Sequence, residues 1–194
     1  MSARLPQLTP ADLDAPQRAF YDSLVANEVH WAQHAGARAI ADDGSLLGPF
    51  NPLLFNPDLG AAQVGVFRAD QRSTSLSPRV HEIIILTVGA AWQSAYELYA
   101  HRSVAEAAGL PDIVIEAIAS GRRPDFDADH EAIAYDFTRQ LAHDHRVDHA
   151  TYARAAHALG ETGAVDMVML IGLYLTTCAI INAFEIPVPE PSAR

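Results

Sequence analysis

The sequence has 194 residues, 49% hydrophobic and 19% charged, which is typical of one folded globular domain spanning 1–194. The net charge of −11 argues against nucleic-acid binding, because phosphates would be repelled. All 13 basic residues are Arg, which excludes a Schiff-base lysine and a P-loop lysine. Cys178 is the one cysteine, so an intramolecular disulfide and a cysteine-cluster metal site are excluded as well.

Capping side chains and glycines mark the helix boundaries. Three capping residues stand just ahead of a proline: Asp14, Asn56 and Ser77. Three glycines are placed to end helices in the left-handed conformation: Gly109, Gly121 and Gly160. With the apolar periodicity, these signals predict helices near 15–34, 57–69, 78–90, 94–108, 111–120, 128–143, 148–159 and 163–184.

Strand signals are almost absent. The β-branched run 83–85 lies between a capping pair and a helical continuation, and it indicates a buried helix. The predicted fold is therefore an all-α, single-domain helical bundle. Residues 36–55 form the one long irregular segment, and segments of that length either carry function or are disordered. The tail 187–194 contains three prolines and is predicted to be non-helical and flexible.

Two segments indicate where in the cell the protein is found. Residues 1–14 lack the apolar core of a secretion signal, so we expect a cytoplasmic protein. Residues 167–181 carry no charge over 15 positions, but a membrane span needs roughly 20 residues. We therefore predict that this segment is a core or subunit-interface helix and that the chain has no membrane partner.

The segment 77–110 carries the most informative polar residues. In one straight helix, Glu82 and His101 would lie roughly 28 Å apart. However, Gly89 is a weak helix former, and Ser94 to Glu97 fits the capping box that starts a new helix. A reversal between residues 89 and 94 makes a helical hairpin whose midpoint is also the midpoint between Glu82 and His101. These two side chains are therefore predicted to face each other.

Glu97 and Ser94 lie four and seven residues before His101, which places all three on one helix face. A carboxylate beside an imidazole is a plausible proton-transfer unit, because the acid fixes the tautomer and raises the basicity of the imidazole. The alternative is purely structural: Ser94 and Glu97 cap a helix, and Glu97 and His101 form a surface pair.

The pattern of Glu82, Ser94, Glu97 and His101 has spacings of 12, 3 and 4 residues. It resembles the motif of the carboxymuconolactone decarboxylase and alkylhydroperoxidase D-like family, whose peroxidase branch carries Cys-x-x-Cys at the two middle positions. The decarboxylase branch lacks that thiol pair and commonly reads Tyr-Glu-x-x-x-His, as Tyr96 to His101 does here. The resemblance extends from residues 5–10 through 48–50 to 182–185.

This resemblance implies an all-helical fold that assembles as homotrimers or homohexamers, with the site beside a subunit interface. It also implies a cofactor-independent, metal-free lyase acting on a small carboxylated lactone or related acid. His101 would shuttle the proton, Glu82 would orient it, and Glu97 would shape the charge near the enolate. Candidate substrate-binding residues are Ser94, Tyr96, Arg79, Tyr174 and Asn182, with Arg102 as a second candidate to hold a carboxylate.

One departure from the family concerns the residues before Gly48. Many relatives carry an Arg there, whereas this chain has Leu46 and Leu47. If that Arg grips a substrate carboxylate, its absence argues against an anionic lactone as the substrate.

Two other functions are open. A peroxidase needs an attacking and a resolving thiol, but Ser94 and Glu97 occupy those positions and Cys178 stands alone. A non-catalytic helical oligomer that binds a small ligand is the other possibility.

Two groups of histidines are also conspicuous. His143, His145 and His149 have a spacing that suits a metal, but they straddle a helix boundary and fit solvated loop residues better. His30 and His34 are interpreted as part of an amphipathic face; the alternative is that they line a site covered by 36–55.

Overall fold

The computed structural model describes residues 3–189, and these form an all-α fold, as predicted. The elements are α1 (Ala15–Leu24), a π-helical turn (Val25–Val29), α2 (His30–His34), α3 (Phe50–Leu53), α4 (Pro57–Ser73), α5 (Pro78–Ala91), α6 (Ala95–Ala107), α7 (Asp112–Ala119), α8 (Asp129–Asp144) and α9 (His149–Ala183). No strand occurs in the described range, where a single bridge pairs Ile40 with Leu46.

The predicted helix starts are confirmed by their hydrogen bonds. The Asp14 side chain accepts from the backbone N–H of Gln17, whose own side chain accepts from the backbone of Asp14. Asn56 and Ser77 likewise accept a backbone N–H in the first turn of α4 and α5. These bonds satisfy donors that have no partner inside the helix, so each start is fixed by local chemistry.

The structure also tests two other predicted features. Gly160 has a φ of 74° and a ψ of 170°, which are non-helical, so α9 consists of two helices that meet at Gly160, and the predicted helix end there is confirmed. The segment 36–55 is structured rather than disordered: it contains α3, and Leu47 donates its backbone N–H to Ala39 at 2.9 Å. Residues 187–189 are non-helical as predicted, and 190–194 lie outside the described residues.

Helix α5 lies at the centre of the fold. Its residues from Val80 to Gly89 are all buried, and α6, α7, α8 and α9 pack around it. A helix that is apolar on every side belongs in a core, which explains the β-branched run. Within this core helix, His81 and Glu82 are charged residues that require partners.

Helix α9 is long and apolar enough to cross a membrane by composition alone. Several of its large side chains nevertheless pack against α5 and α8 in the main core cluster, as a core helix does: Met167, Leu170, Ile171, Tyr174 and Cys178.

The predicted hairpin between α5 and α6 is present, and its turn consists of Trp92, Gln93 and Ser94. Gln93 takes the left-handed conformation with a φ of 52°, whereas Gly89 remains helical and buried. The reversal therefore lies where the sequence places it, but Gly89 does not cause it.

Candidate active site

The hairpin brings Glu82 and His101 together, as the midpoint argument predicts. Nδ1 of His101 lies 2.9 Å from Oε2 of Glu82, and both side chains are buried. One turn earlier on α6, Oε1 of Glu97 lies 3.2 Å from Nε2 of the same imidazole. His101 is thus held between two carboxylates on opposite ring nitrogens.

A second histidine extends this cluster. Nε2 of His81 lies 2.7 Å from Oδ2 of Asp70 on α4, and its Nδ1 lies 3.5 Å from Oε1 of Glu82. Glu82 therefore bridges two imidazoles, one with each oxygen. The sequence reasoning missed His81 and Asp70, although a histidine inside the most apolar helix was a visible signal.

The charges in this cluster shift one another's pKa values. Burial opposes the positive charge on His101, but the charge of Glu82 and the hydrogen bonds that His101 donates to Glu82 and Glu97 outweigh it and raise the pKa of His101 to about 10. Burial opposes ionisation of Glu82, but the two histidines lower its pKa to about 2. Burial is likewise outweighed at His81, where Asp70 and Glu82 raise the pKa to about 9. Both imidazoles are therefore protonated at neutral pH.

Tyr174 on α9 completes the surroundings of His101. Its hydroxyl oxygen lies 3.2 Å from Nε2, and its ring packs edge-on to the imidazole. Burial, together with the charges of Glu97 and Glu82, raises the pKa of Tyr174 well above its ordinary value. The phenol is neutral, and when it accepts the imidazolium proton its own hydrogen is available to a ligand.

The imidazole opens onto a cavity of about 110 Å³. Its walls come from the π-helical turn, α2, the 36–55 segment, α4, α6 and α9. Apolar residues form most of the lining, among them Trp31, Phe50, Val64, Phe67, Leu173 and Ile180. The polar lining residues are Glu28, Gln63, Tyr96, Glu97, His101, Tyr174 and Thr177. An apolar pocket with few convergent polar groups is typical of a small-molecule site.

Two polar residues of this wall were not predicted. Glu28 is buried and forms a two-pronged ion pair with Arg68, at 2.7 and 2.8 Å. Gln63 has a buried amide nitrogen without a hydrogen-bond partner among residues 3–189. Gln63 is a polar residue in an apolar stretch of α4, which was a usable signal, whereas the pairing of Glu28 with Arg68 over 40 residues was not.

Three predicted substrate contacts are corrected by the structure. Arg79 lies outside the cavity, because its guanidinium is paired with Glu131 and also donates to the Gly109 carbonyl. Arg102 is paired with two glutamates of α6 and α7 at the surface. Asn182 is exposed and donates to the Trp92 carbonyl. No arginine of the described chain lines the cavity.

Ser94 also differs from the prediction. It precedes α6, but its side chain makes no capping hydrogen bond, and its buried hydroxyl has no partner among the described residues. It does not line the cavity, unlike the predicted Tyr96. The nearby Cys178 thiol is buried; burial and the charge of Glu97 raise its pKa to about 12, although Ser94 acts in the opposite direction.

The remaining histidines lie apart from the cavity. His143, His145 and His149 are exposed around the α8–α9 junction, as expected of solvated residues. His30 and His34 are exposed on α2, and Trp31 between them lines the cavity. Within residues 3–189, no group of three or more His, Cys, Asp or Glu side chains is arranged to hold a metal ion.

Comparisons with known proteins identify the fold. No family model matches the sequence, and no curated protein matches it either. A solved structure of an alkylhydroperoxidase AhpD core, an uncharacterized peroxidase-related protein from Ralstonia eutropha JMP134, superposes with a TM-score of 0.73 and 16% identity, covering 97% of this chain and 93% of that one.

The debrominase Bmp8 is similar to the same extent. A cysteine-to-alanine variant in complex with 2,3,4-tribromopyrrole superposes with a TM-score of 0.75 and 16% identity, over 97% of this chain and 93% of that one. The apo form gives a TM-score of 0.71 and 15% identity, over 94% and 90%. At these identities the likeness establishes the fold, so the chain has the alkylhydroperoxidase D-like fold expected from its sequence.

Proposed function

We propose that this chain is a cofactor-independent lyase that releases carbon dioxide from a small, largely apolar acid, with His101 as the proton donor. The observation that carries the proposal is the buried imidazole of His101, fixed between Glu82 and Glu97 at the wall of an apolar cavity. Buried ion clusters contribute little to stability, so a cluster that opens into a cavity points to chemistry.

The geometry suits the proton transfer that follows decarboxylation. When the bond to the carboxylate carbon breaks, its electron pair remains on the substrate as a carbanion or enolate. The carboxylate carbon leaves as carbon dioxide, the Nε2 proton of His101 bonds to the substrate carbon that kept the electron pair, and the neutral imidazole regains a proton from solvent. Before the transfer, the imidazolium and the Tyr174 hydroxyl stabilise the developing negative charge in a mostly apolar cavity.

The cavity limits the substrate. An engineered apolar cavity of about 150 Å³ accepts one benzene molecule, so a volume of about 110 Å³ favours a single small ring. Glu28 and Glu97 lie in the wall without an arginine to hold an anion, because Arg68 is already paired. We therefore favour a substrate with a single carboxylate, held by His101 and Tyr174, over one with two.

Carbon dioxide release from 4-carboxymuconolactone and from five-membered lactones with one carboxylate tests this function. His101→Gln should lower turnover by about 100-fold or more, since it removes the proton donor. Glu106→Gln, on the exposed face of the same helix, is the matched control and should leave turnover unchanged. No release above background from any of these compounds would refute the lyase assignment.

Thiol-dependent hydroperoxide reduction is the second function to test, because one structural neighbour is described as peroxidase-related. The observations oppose it: Cys178 is buried, does not line the cavity and is held as the thiol by its raised pKa. We expect no hydroperoxide reduction by the chain. Measurable reduction that disappears in Cys178→Ser would overturn this expectation.

A symmetric homo-oligomer is also proposed, as a trimer or hexamer. Large apolar side chains are exposed along the neighbouring helices α4 and α9, with Leu59 69%, Val165 61% and Met169 55% exposed. An apolar strip of this kind is typical of a subunit interface. Light scattering at micromolar concentration should give three or six times the chain mass, and a monomer would contradict the assembly.

A further inference from the structure

We propose that Gln63 is the specificity residue of the cavity and that its amide N–H₂ donates to an uncharged carbonyl oxygen of the ligand, such as that of a lactone or cyclic ketone. The inference takes the cavity to be the substrate site of the proposed function, and it adds the polar group by which the ligand is oriented. It rests on the hydrogen bonds that the polar side chains of the cavity wall make or lack, and on the charges of those side chains.

The amide nitrogen of the half-buried Gln63 is exceptional among the polar atoms of the cavity wall. Within residues 3–189, its amide nitrogen and the Ser94 hydroxyl are the buried side-chain polar atoms without a partner, and of these two residues only Gln63 lines the cavity. Other polar groups of the wall are already engaged: Glu28 with Arg68, and Thr177 with the Leu173 carbonyl. The Gln63 amide nitrogen is therefore the buried donor of the wall that has no partner among residues 3–189.

An unpaired buried donor is unfavourable, because the amide gives up its hydrogen bonds to water without replacement. A methionine would fill a similar volume beside Val64 and Phe67 without that penalty. Since the fold gains nothing from the amide, a ligand that accepts its hydrogen bond explains it better than packing does. Sites of this kind discriminate strongly against analogues that leave the polar group unpaired.

The charges in the wall determine which acceptor fits. Besides Gln63, the lining contains Glu28, whose charge is balanced by Arg68, and Glu97, which lies beside His101. No unpaired cation of the described chain is present to support a second anionic group on the ligand. A neutral carbonyl oxygen is therefore the acceptor that suits Gln63, while the reacting end of the ligand lies at His101 and Tyr174.

Two ring compounds of nearly equal shape test this recognition without requiring turnover: cyclopentanone and methylenecyclopentane, which differ in C=O against C=CH₂. Binding to the full chain is measured by ligand-observed NMR titration for the wild type, Gln63→Met and the control Gln33→Met, an exposed position on α2. The dissociation constant of methylenecyclopentane divided by that of cyclopentanone measures the contribution of the carbonyl oxygen. This ratio should exceed one in the wild type. It should fall about five- to tenfold in Gln63→Met and stay unchanged in the control.

Thermal unfolding of the ligand-free protein supplies the second readout. Gln63→Met should unfold at the same temperature as the wild type or higher, because an unsatisfied donor has been removed. The proposal would be overturned if the ratio of dissociation constants were unchanged in Gln63→Met, whatever its unfolding temperature. It would also be overturned if neither probe bound at millimolar concentration. The binding and unfolding measurements do not depend on carbon dioxide release, so they test the role of Gln63 even if the lyase assay fails.

Discussion

Replacing Glu82 by Gln tests the charge cluster directly. The substitution keeps the size of the side chain and one hydrogen-bond acceptor, but it removes the negative charge shared by two imidazoles. Glu82 is 4% exposed, and its oxygens lie 2.9 Å from His101 and 3.5 Å from His81. The variant therefore leaves two buried imidazoles with Glu97 and Asp70 as their remaining charged partners.

The expected loss of stability is large for a single substitution. Removing one partner of a buried ion pair costs about 3–5 kcal/mol, and the retained hydrogen bond places Glu82→Gln near the lower limit. For a chain of this size, a loss of about 3 kcal/mol lowers the melting temperature by about 6–12 °C. The pKa of His101 should fall by about one to two units, as a charge-assisted hydrogen bond is worth about 1.5–3 kcal/mol.

The loss should depend on pH in a defined direction. The pKa values of His101 and His81 are raised in the folded state to about 10 and about 9 from an ordinary 6.5, so their contribution is complete below pH 6.5 and disappears as pH rises through those values. Glu82 has its pKa lowered from 4.5 to about 2, so its contribution is complete above pH 4.5 and is lost as pH falls toward 2. The variant should differ most from the wild type between pH 4.5 and 6.5.

Chemical denaturation at pH 6 and pH 10, together with NMR titration of ¹⁵N-labelled histidines, measures both effects. Glu106→Gln, which removes an exposed carboxylate paired with Arg102, is the control and should change stability by less than about 1 kcal/mol. An equal loss of stability for Glu82→Gln at the two pH values, with an unchanged pKa of His101, would show that Glu82 acts through packing alone.

Two further predictions concern local structure. Ser94→Ala should change the free energy of unfolding by less than about 0.5 kcal/mol, because the Ser94 hydroxyl makes no capping hydrogen bond. Ser77→Ala should lower the free energy of unfolding by about 1 kcal/mol, because it removes the cap of α5. Equal losses for the two variants in urea denaturation would contradict this. Gly48→Ala should destabilise by about 2 kcal/mol or more, since Gly48 has a φ of 67° and an added Cβ would overlap the Tyr96 ring. Gly65→Ala, in a helix with open space around it, should be neutral or stabilising, and similar melting temperatures for both glycine variants would refute the steric argument.

The sequence predicts the fold where the determining interactions are local. Capping by Asp14, Asn56 and Ser77 depends on side chains within three residues of each other, and all three are confirmed. The contact between Glu82 and His101 spans 19 residues, yet it was predictable because a short reversal fixes the register of two helices.

Features that depend on distant residues could not be predicted. Nothing local to Arg79 shows that Glu131, 52 residues later, takes its guanidinium away from the cavity. The same holds for Glu28 and Arg68, which are 40 residues apart and come from different helices. Ser94 shows the opposite limit: its sequence matches a capping box, but its side chain is buried and makes no capping hydrogen bond.

The residues that mark the site are those that the fold does not need. Helix α5 would pack equally well with apolar residues in place of His81 and Glu82, since buried ion pairs are often no more stable than apolar replacements. The amide of Gln63 is similarly unfavourable in an apolar wall. These departures occur on α4 and α5, and through His101 they meet at one cavity. Because local conflicts of this kind persist where function requires them, their convergence supports the proposal that the cavity binds and transforms a ligand.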